Sequence, residues 1–177
     1  MDATSLDLHY DAAEDRLVLT AHGTAVPVSV ALTRRLTRDL LSKTVELLML
    51  SSAEVSRAPA QHRETVLLFE FASALAEATE RPMGERAKCR AAVQPSDRAG
   101  PPAMAVRGDL RLRPSGLDLG VFDLSGLRFQ VCLTRAEVHR LLDLMIRLTQ
   151  VAEWRLEEVN WIDRRRHLVV PEQKLLS

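Results

Sequence analysis

The sequence predicts an α+β protein: two three-stranded antiparallel β-meanders, two middle helices and a long amphipathic helix at the carboxy terminus. Apolar and polar residues alternate over two separate stretches, 5–31 and 110–133, which is the period of half-buried strands. Outside these stretches the apolar residues recur at every third or fourth position, which is the period of an amphipathic helix. Strands, then helices, then strands and a final helix therefore make up the chain.

The first meander consists of three short alternating runs separated by polar turns. Their apolar positions are Leu6, Leu8, Leu17, Leu19, Val26, Val28 and Val30. Thr33 follows the third run and is a suitable N-cap, because its hydroxyl can accept a hydrogen bond from a free backbone N–H of the first helical turn. The sequence predicts a helix from this cap to about Ser51 and Ser52.

A second helix is predicted over residues 61–79, although the run 65–71 is rich in β-branched and aromatic residues and is also compatible with a buried strand. Residues 81–104 contain several Pro, Gly and Arg residues but few large apolar ones, which is typical of a linker or mobile loop. The predicted organisation is therefore 1–80, a linker at 81–104, and 105–177, all within one compact domain.

The second meander ends at Leu133 and leads into the final helix. Thr134 and Glu137 have the spacing of a capping box, in which each side chain satisfies a backbone donor of the first turn. The apolar periodicity that follows predicts a helix to about Asn160. Such a helix would be longer than a small domain, so we expect its distal half to project or to meet a partner.

The two halves also share a spacing of 101 residues. Leu32-Thr33-Arg34 aligns without a gap to Leu133-Thr134-Arg135, and Leu40-Leu41 aligns to Leu141-Leu142. This register suggests an internal duplication of a ββ-β-α unit. The alternative is that any strand that leads into a capped helix shows a similar pattern.

Composition excludes several classes of protein. The chain has 177 residues and equal numbers of acidic and basic ones, so general affinity for nucleic acid or an anionic membrane is not expected. With two cysteines, no secretory signal pattern and no apolar run of membrane-spanning length, we expect a cytoplasmic protein that does not insert into a membrane. The excess of Arg over Lys is typical of a GC-rich bacterial genome.

The final helix carries the predicted partner-binding surface. One heptad line of apolar positions continues along it, and a second apolar line lies beside the first, so that one face is left for a partner. The predicted partner-binding residues are Met145, Leu148, Ala152, Trp154, Arg155, Val159 and Trp161. We expect a homodimer and a further protein partner; the alternative is that both tryptophans belong to the chain's own core.

A second candidate site lies in the basic stretch 81–113, which has a local charge of +5, whereas residues 1–31 have a local charge of −4. The candidate anion-binding residues are Arg86, Arg90, Arg107 and Arg111. Nucleic acid is the less favoured ligand, because no aromatic residues alternate with these arginines.

No nucleotide-binding, hydrolase or metal-binding motif is present, so we predict no catalytic residue, no cofactor and no metal site. His139 and Asp143 are four residues apart on one helix, which suits either a hydrogen bond or an ordinary solvated pair. The favoured function is a non-catalytic adaptor or scaffold. The alternatives are a small enzyme or anion-binding protein with the Arg-rich loop as a lid, and, less favoured, a nucleic-acid-binding regulator.

Overall fold

The computed structural model describes residues 5–23, 26–80, 92–93, 101–114 and 116–156, and it has the predicted α+β class. The strands are β1 (Ser5–Asp11), β2 (Arg16–His22), β3 (Val28–Leu32), β4 (Ala92–Val93), β5 (Ala103–Met104), β6 (Arg107–Arg113), β7 (Gly116–Asp123) and β8 (Gly126–Thr134). The α-helices are α1 (Arg34–Ser51), α2 (Ala53–Arg57), α3 (Arg63–Glu80) and α4 (Arg135–Val151), and a 3₁₀ turn (Ala60–His62) precedes α3.

Both predicted meanders are present, and each is extended by one short strand. The first sheet has the order β1-β2-β3-β5, in which β5 runs parallel to β3. The second sheet has the order β4-β8-β7-β6, and all of its pairings are antiparallel. Both added strands lie within the range 81–104 that the sequence predicts as a linker. Each contributes two residues, which is too short for an alternating pattern to be recognised.

The 101-residue register corresponds to equivalent structure in the two halves. Thr33 and Thr134 are both N-caps at the end of a strand, and the helices that follow begin at Arg34 and Arg135. The buried strand residues Val28, Val30 and Leu32 correspond to Phe129, Val131 and Leu133, which are also buried. The expected strand-then-helix arrangement, with apolar side chains on the same face, is therefore confirmed from Val28 onward. Val26, expected in the third strand, lies before β3 and is 55% exposed, whereas its counterpart Leu127 lies in β8. Common origin by duplication stays a prediction.

The middle of the chain is helical throughout the described residues. Ser52 ends α1 and caps α2, because its hydroxyl accepts a hydrogen bond from the Val55 N–H at 3.1 Å. The β-prone run 65–71 lies inside α3, where Leu67 and Phe71 face the core. Burial of these two residues, one helical turn apart, outweighs the local β-propensity.

The final helix is shorter than predicted: α4 ends at Val151, not near Asn160. Glu153 has a left-handed φ of 55°, and the N–H of Trp154 donates to the Thr149 carbonyl at 2.8 Å. The Glu153 N–H donates to the Gln150 carbonyl at 2.9 Å. These two bonds form a Schellman motif, which normally has Gly at the left-handed position. Because Glu occupies that position, the sequence contains no clear stop signal.

Each long helix packs against the strand at the far edge of the other half's sheet. Helix α1 contacts β6, and a Cβ added to Gly108 would lie 2.6 Å from the Leu40 side chain, so the missing side chain permits close packing. Helix α4 contacts β1 in the equivalent way. The core lies between these layers. None of the helices in the described residues is both long and apolar enough to cross a membrane.

Candidate functional site

The outer side of α4 carries a line of apolar residues that the described part of the chain covers only in part. Leu144, Leu148 and Val151 are spaced by four and three positions, so they lie along one side of the helix. Leu144 and Leu148 are half-buried, and Val151 is 68% exposed. We call these three residues the α4 stripe. A helix presents such i, i+4, i+7 positions when its face docks against another protein.

The equivalent surface of α1 is different, although the helix occupies the same place in the first half. Lys43 replaces the leucine of the first position, and its Nζ lies 2.7 Å from Glu46 Oε2 in an exposed ion pair. Leu47 is buried, and Leu50 is the exposed apolar residue among the three equivalents. The α1 surface is therefore solvated, whereas the α4 stripe combines three apolar side chains.

The residues predicted to bind a partner divide into three groups. Met145 and Trp154 are each only 5% exposed and pack in the chain's own core, so they do not form a surface. Leu148 and Ala152 are half-buried, and Arg155 is exposed. The predicted heptad line does not continue along one helix, because α4 ends at Val151, before Arg155. Val159 and Trp161 lie outside the described residues.

Trp154 fixes the direction in which the chain leaves α4. Its indole Nε1 donates to Asp15 Oδ1 at 2.8 Å, and the Tyr10 hydroxyl donates to the same oxygen at 2.8 Å. The two aromatic rings also meet edge to face at 6.2 Å. The hydrogen bonds from Trp154 and Tyr10 lower the pKa of Asp15, and the bond to Asp15 raises the pKa of Tyr10. The segment after α4 is thus tied to the turn between β1 and β2.

Arg135, the first residue of α4, joins three helices. Its guanidinium binds both carboxylate oxygens of Glu70 on α3, with Nη2 at 3.0 Å from Oε2 and Nε in contact with Oε1. It also donates to the Ser51 hydroxyl at 2.6 Å and to the Leu48 carbonyl at 2.9 Å, both at the end of α1. A planar bidentate guanidinium suits this position because it can satisfy several acceptors at once.

His139 completes this junction from the next turn of α4. It is 1% exposed, and its Nε2 lies 3.1 Å from Glu70 Oε1. Burial lowers the pKa of His139, although the carboxylate beside it acts in the opposite direction. Burial raises the pKa of Glu70, but the hydrogen bonds from Arg135 and His139 and the Arg135 charge lower it overall. Both shifts favour an ionised Glu70 beside a neutral imidazole at pH 7, and since a carboxylate only accepts, His139 Nε2–H is the donor of this hydrogen bond.

This junction was missed from the sequence. The sequence suggested that His139 pairs with Asp143 or that both are solvated, but His139 binds Glu70, and Asp143 is buried with Arg147 Nη2 at 2.6 Å. The Nδ1 atom of His139 is buried without a hydrogen-bond partner among the described residues. Because Glu70 and His139 are separated by 69 positions, helix periodicity contains no signal for their contact.

Two of the four candidate anion-binding arginines, Arg107 and Arg111, lie within the described residues. Arg107 Nε lies 3.2 Å from Asp109 Oδ1, and its guanidinium stacks over the Phe122 ring at 4.0 Å. Arg111 is exposed on β6, directly across from Asp118 on β7. Arg86 and Arg90 lie outside the described residues. Asp109 therefore balances the charge of Arg107, whereas the Asp118 carboxylate across from Arg111 binds Arg113 Nε at 2.6 Å.

Among the described residues, no group of three or more His, Cys, Asp or Glu side chains is arranged to hold a metal ion. The two surfaces that stand out are the α4 stripe and the exposed edges of the two sheets. No protein-family model, curated protein or solved structure matches this chain.

Proposed function

We propose that this protein is a non-catalytic adaptor that binds a protein partner through the outer face of α4. The observation that carries the proposal is the α4 stripe, in which Val151 is 68% exposed beside the half-buried Leu144 and Leu148. Its equivalent on α1 has an exposed Lys43–Glu46 ion pair. The two equivalent helices therefore differ. The surface of α1 carries an ion pair in contact with solvent, and the same surface of α4 carries apolar side chains where we expect a partner.

The exposed side chains next to the α4 stripe indicate the chemistry of the partner. Arg147, whose Nη2 lies 2.6 Å from Asp143 Oδ2, is exposed beside it, and Arg155 is exposed just beyond the helix end. A partner with an apolar groove and an acidic rim would bury the stripe and pair with these side chains. We expect the partner to be another protein and the compartment to be the cytoplasm.

The junction of Arg135, Glu70 and His139 supports this proposal indirectly. It holds the first turn of α4 to α1 and α3 through four contacts of one guanidinium. Trp154 holds the other end of the helix to Asp15. A surface whose helix is fixed at both ends loses little conformational entropy when a partner binds.

Site-specific photo-cross-linking in the native cell tests the proposal. A photoreactive amino acid at position 151 should cross-link one protein in high yield, whereas the same group at position 50 should not. Leu50 is a matched control, since it occupies the equivalent helical position and is 66% exposed. Equal labelling from both positions, or none from position 151, would contradict a partner site on α4.

A surface variant separates binding from folding. Val151→Lys should remove the cross-linked partner from affinity-purified material, while Leu50→Lys should leave it bound. A lysine at the carboxy-terminal end of a helix is favourable for the helix dipole, so we expect both variants to fold. If Val151→Lys retains the partner, the α4 stripe is not the binding surface.

A further inference from the structure

The strands β1 and β6 occupy the same place in their two sheets: each is an edge strand of seven residues. In the described part of the chain, β1 pairs only with β2, and β6 pairs only with β7. An edge strand presents unpaired backbone N–H and C=O groups, which can pair with a strand of another chain. The two edges differ in the side chains they present.

The outer face of β1 is acidic, and the outer face of β6 is mainly basic. On β1, Asp7 and His9 are exposed and alternate with the half-buried Leu6 and Leu8. On β6, Arg107 and Arg111 are exposed, and between them lies Asp109. Paired along their full length in an antiparallel way, two β1 edges place Asp7 opposite His9 and form no pair of opposite charges. Two β6 edges place Arg107 opposite Arg113 twice, which offsets the two pairs of Asp109 with Arg111. Neither like pairing is therefore favoured by charge.

An antiparallel pairing of β1 with β6 makes the two edges complementary. If Asp7 lies opposite Arg111, then His9 lies opposite Asp109 and Asp11 lies opposite Arg107. On the inner face, the same register places Leu6 opposite Leu112 and Leu8 opposite Leu110, and Leu112 is 42% exposed. The bulky Tyr10 lies opposite Gly108, which has no side chain. Both faces of the pairing are satisfied in one register.

We propose that copies of this chain assemble head to tail, with β1 of one copy pairing in an antiparallel way with β6 of the next. The occupant of each edge is thus a second copy of the chain. Because the two paired surfaces differ, the contact is heterologous and produces a closed ring or an open filament rather than a two-fold dimer. The resulting assembly would present many α4 stripes, as suits a scaffold.

Charge reversal at one residue of each edge tests this pairing. Asp7 and Arg111 are both exposed, so substitution of either should preserve the fold. We expect the wild-type chain to associate with increasing concentration at low ionic strength, as measured by sedimentation velocity. Asp7→Arg alone or Arg111→Asp alone should weaken this association by about tenfold or more, because each places like charges opposite one another.

Restoration is the decisive result. The double variant D7R/R111D carries exchanged charges on its two edges and should associate within a few-fold of the wild type. An equimolar mixture of the two single variants should also associate, because each supplies the edge that the other lacks. Restoration of this kind requires that the two residues face each other between copies.

Matched controls are available on the helices. Glu77→Arg on α3 and Arg57→Asp on α2 change the net charge by the same amounts at other exposed positions and should leave association unchanged. Hydrogen exchange should show new protection confined to residues 5–11 and 107–113 as concentration rises.

Three outcomes would overturn the proposal. The first is a wild-type chain that stays monomeric at high micromolar concentration and low salt, because β1 and β6 then do not pair between copies. Association that neither single reversal weakens uses another surface. Association that Val151→Lys abolishes and the edge variants leave intact is a contact of the α4 stripe.

Discussion

The two halves of this molecule use one arrangement of strands and helix for different purposes. In the first half, Arg34 begins α1 and is exposed, whereas the equivalent Arg135 begins α4 and joins three helices. Arg38 on α1 is exposed, whereas the equivalent His139 is buried against Glu70. The difference arises because α3 packs against α4 at these positions. Equivalent backbone thus does not imply equivalent chemistry.

The packing of each helix on an edge strand differs in the same way. Leu40 of α1 is 5% exposed and packs against Gly108, whereas the equivalent Leu141 of α4 is half-buried. Gly108 pairs with Val121, which pairs with Phe129, and Leu6 pairs with Ala21, which pairs with Val28. The strand pairings therefore place Leu6 on β1 where β6 has Gly108. A full side chain there does not permit the same close approach. The first helix is therefore closed against its strand, and the second leaves part of its apolar surface uncovered.

Core truncation at equivalent strand positions should give the largest effect. Phe129 is fully buried and Val28 is 1% exposed, and the two residues occupy the same place in β8 and β3. We expect Phe129→Ala to lower the free energy of unfolding by about 3–5 kcal/mol and Val28→Ala by about 2 kcal/mol. Urea denaturation measures both. Equal losses of unfolding free energy in the two variants would show that stability at these positions does not depend on the volume of the side chain removed.

Removal of the arginine that begins α4 should lower the unfolding free energy much more than removal of the arginine that begins α1. Arg135→Ala leaves the partly buried Glu70 carboxylate without its guanidinium partner and with the His139 imidazole beside it, so we expect a loss of about 3 kcal/mol in unfolding free energy. Arg34→Ala removes an exposed side chain and should cost less than about 0.5 kcal/mol. Thermal and urea unfolding of both variants provide the measurement. Similar losses would contradict a special role for the Arg135 junction.

The junction should also make stability depend on pH. The pKa of His139 is lowered in the folded chain, so the unfolded chain binds a proton that the folded chain does not. Its contribution is complete above the ordinary histidine pKa of about 6.5 and is lost as the pH falls below that value. The pKa of Glu70 is also lowered, which adds a further loss at more acidic pH.

A pair of histidine variants measures this effect. His139→Gln keeps a side chain that can donate to Glu70 but does not titrate, so the slope of unfolding free energy between pH 7 and 5 should decrease. His62→Gln replaces an exposed histidine in the 3₁₀ turn and should preserve the wild-type slope. An unchanged slope in His139→Gln would show that His139 does not control this pH range.

The smallest expected effect concerns the end of α4. Glu153 adopts a left-handed φ of 55°, which a glycine adopts without steric cost. We expect Glu153→Gly to raise the free energy of unfolding by about 0.5–1 kcal/mol, since the strained conformation outweighs the added entropy of the unfolded glycine. Calorimetry measures the change. A destabilised variant would indicate that the Glu153 side chain stabilises the helix end.

Much of the fold could be predicted from local patterns. Alternation located six long strands, and the Thr134–Glu137 capping box located the start of α4, where the Glu137 carboxylate accepts from the Thr134 N–H at 2.8 Å. These features depend on residues close together in sequence. The 101-residue register also placed the start of both helices correctly.

The parts that could not be predicted depend on distant contacts. Trp154 lies 139 positions from Asp15 in sequence, and their hydrogen bond helps direct the chain after α4 away from a straight helix. The heptad pattern placed Met145 on a partner surface, and the frequency of tryptophan at interfaces placed Trp154 there, although both are buried. Burial within the chain and burial by a partner favour the same residue types, so the sequence alone did not separate them.

The central claim is that the α4 stripe carries a function that α1 does not. The most direct measurement compares L144K/V151K, which copies Lys43 of α1 at position 144 and adds a second lysine at position 151, with Leu50→Lys on α1, in quantitative co-purification from the native cell. The claim predicts that L144K/V151K keeps the wild-type circular dichroism and unfolding temperature but loses the partner, while Leu50→Lys keeps both. Retention of the partner by a folded L144K/V151K protein would contradict it.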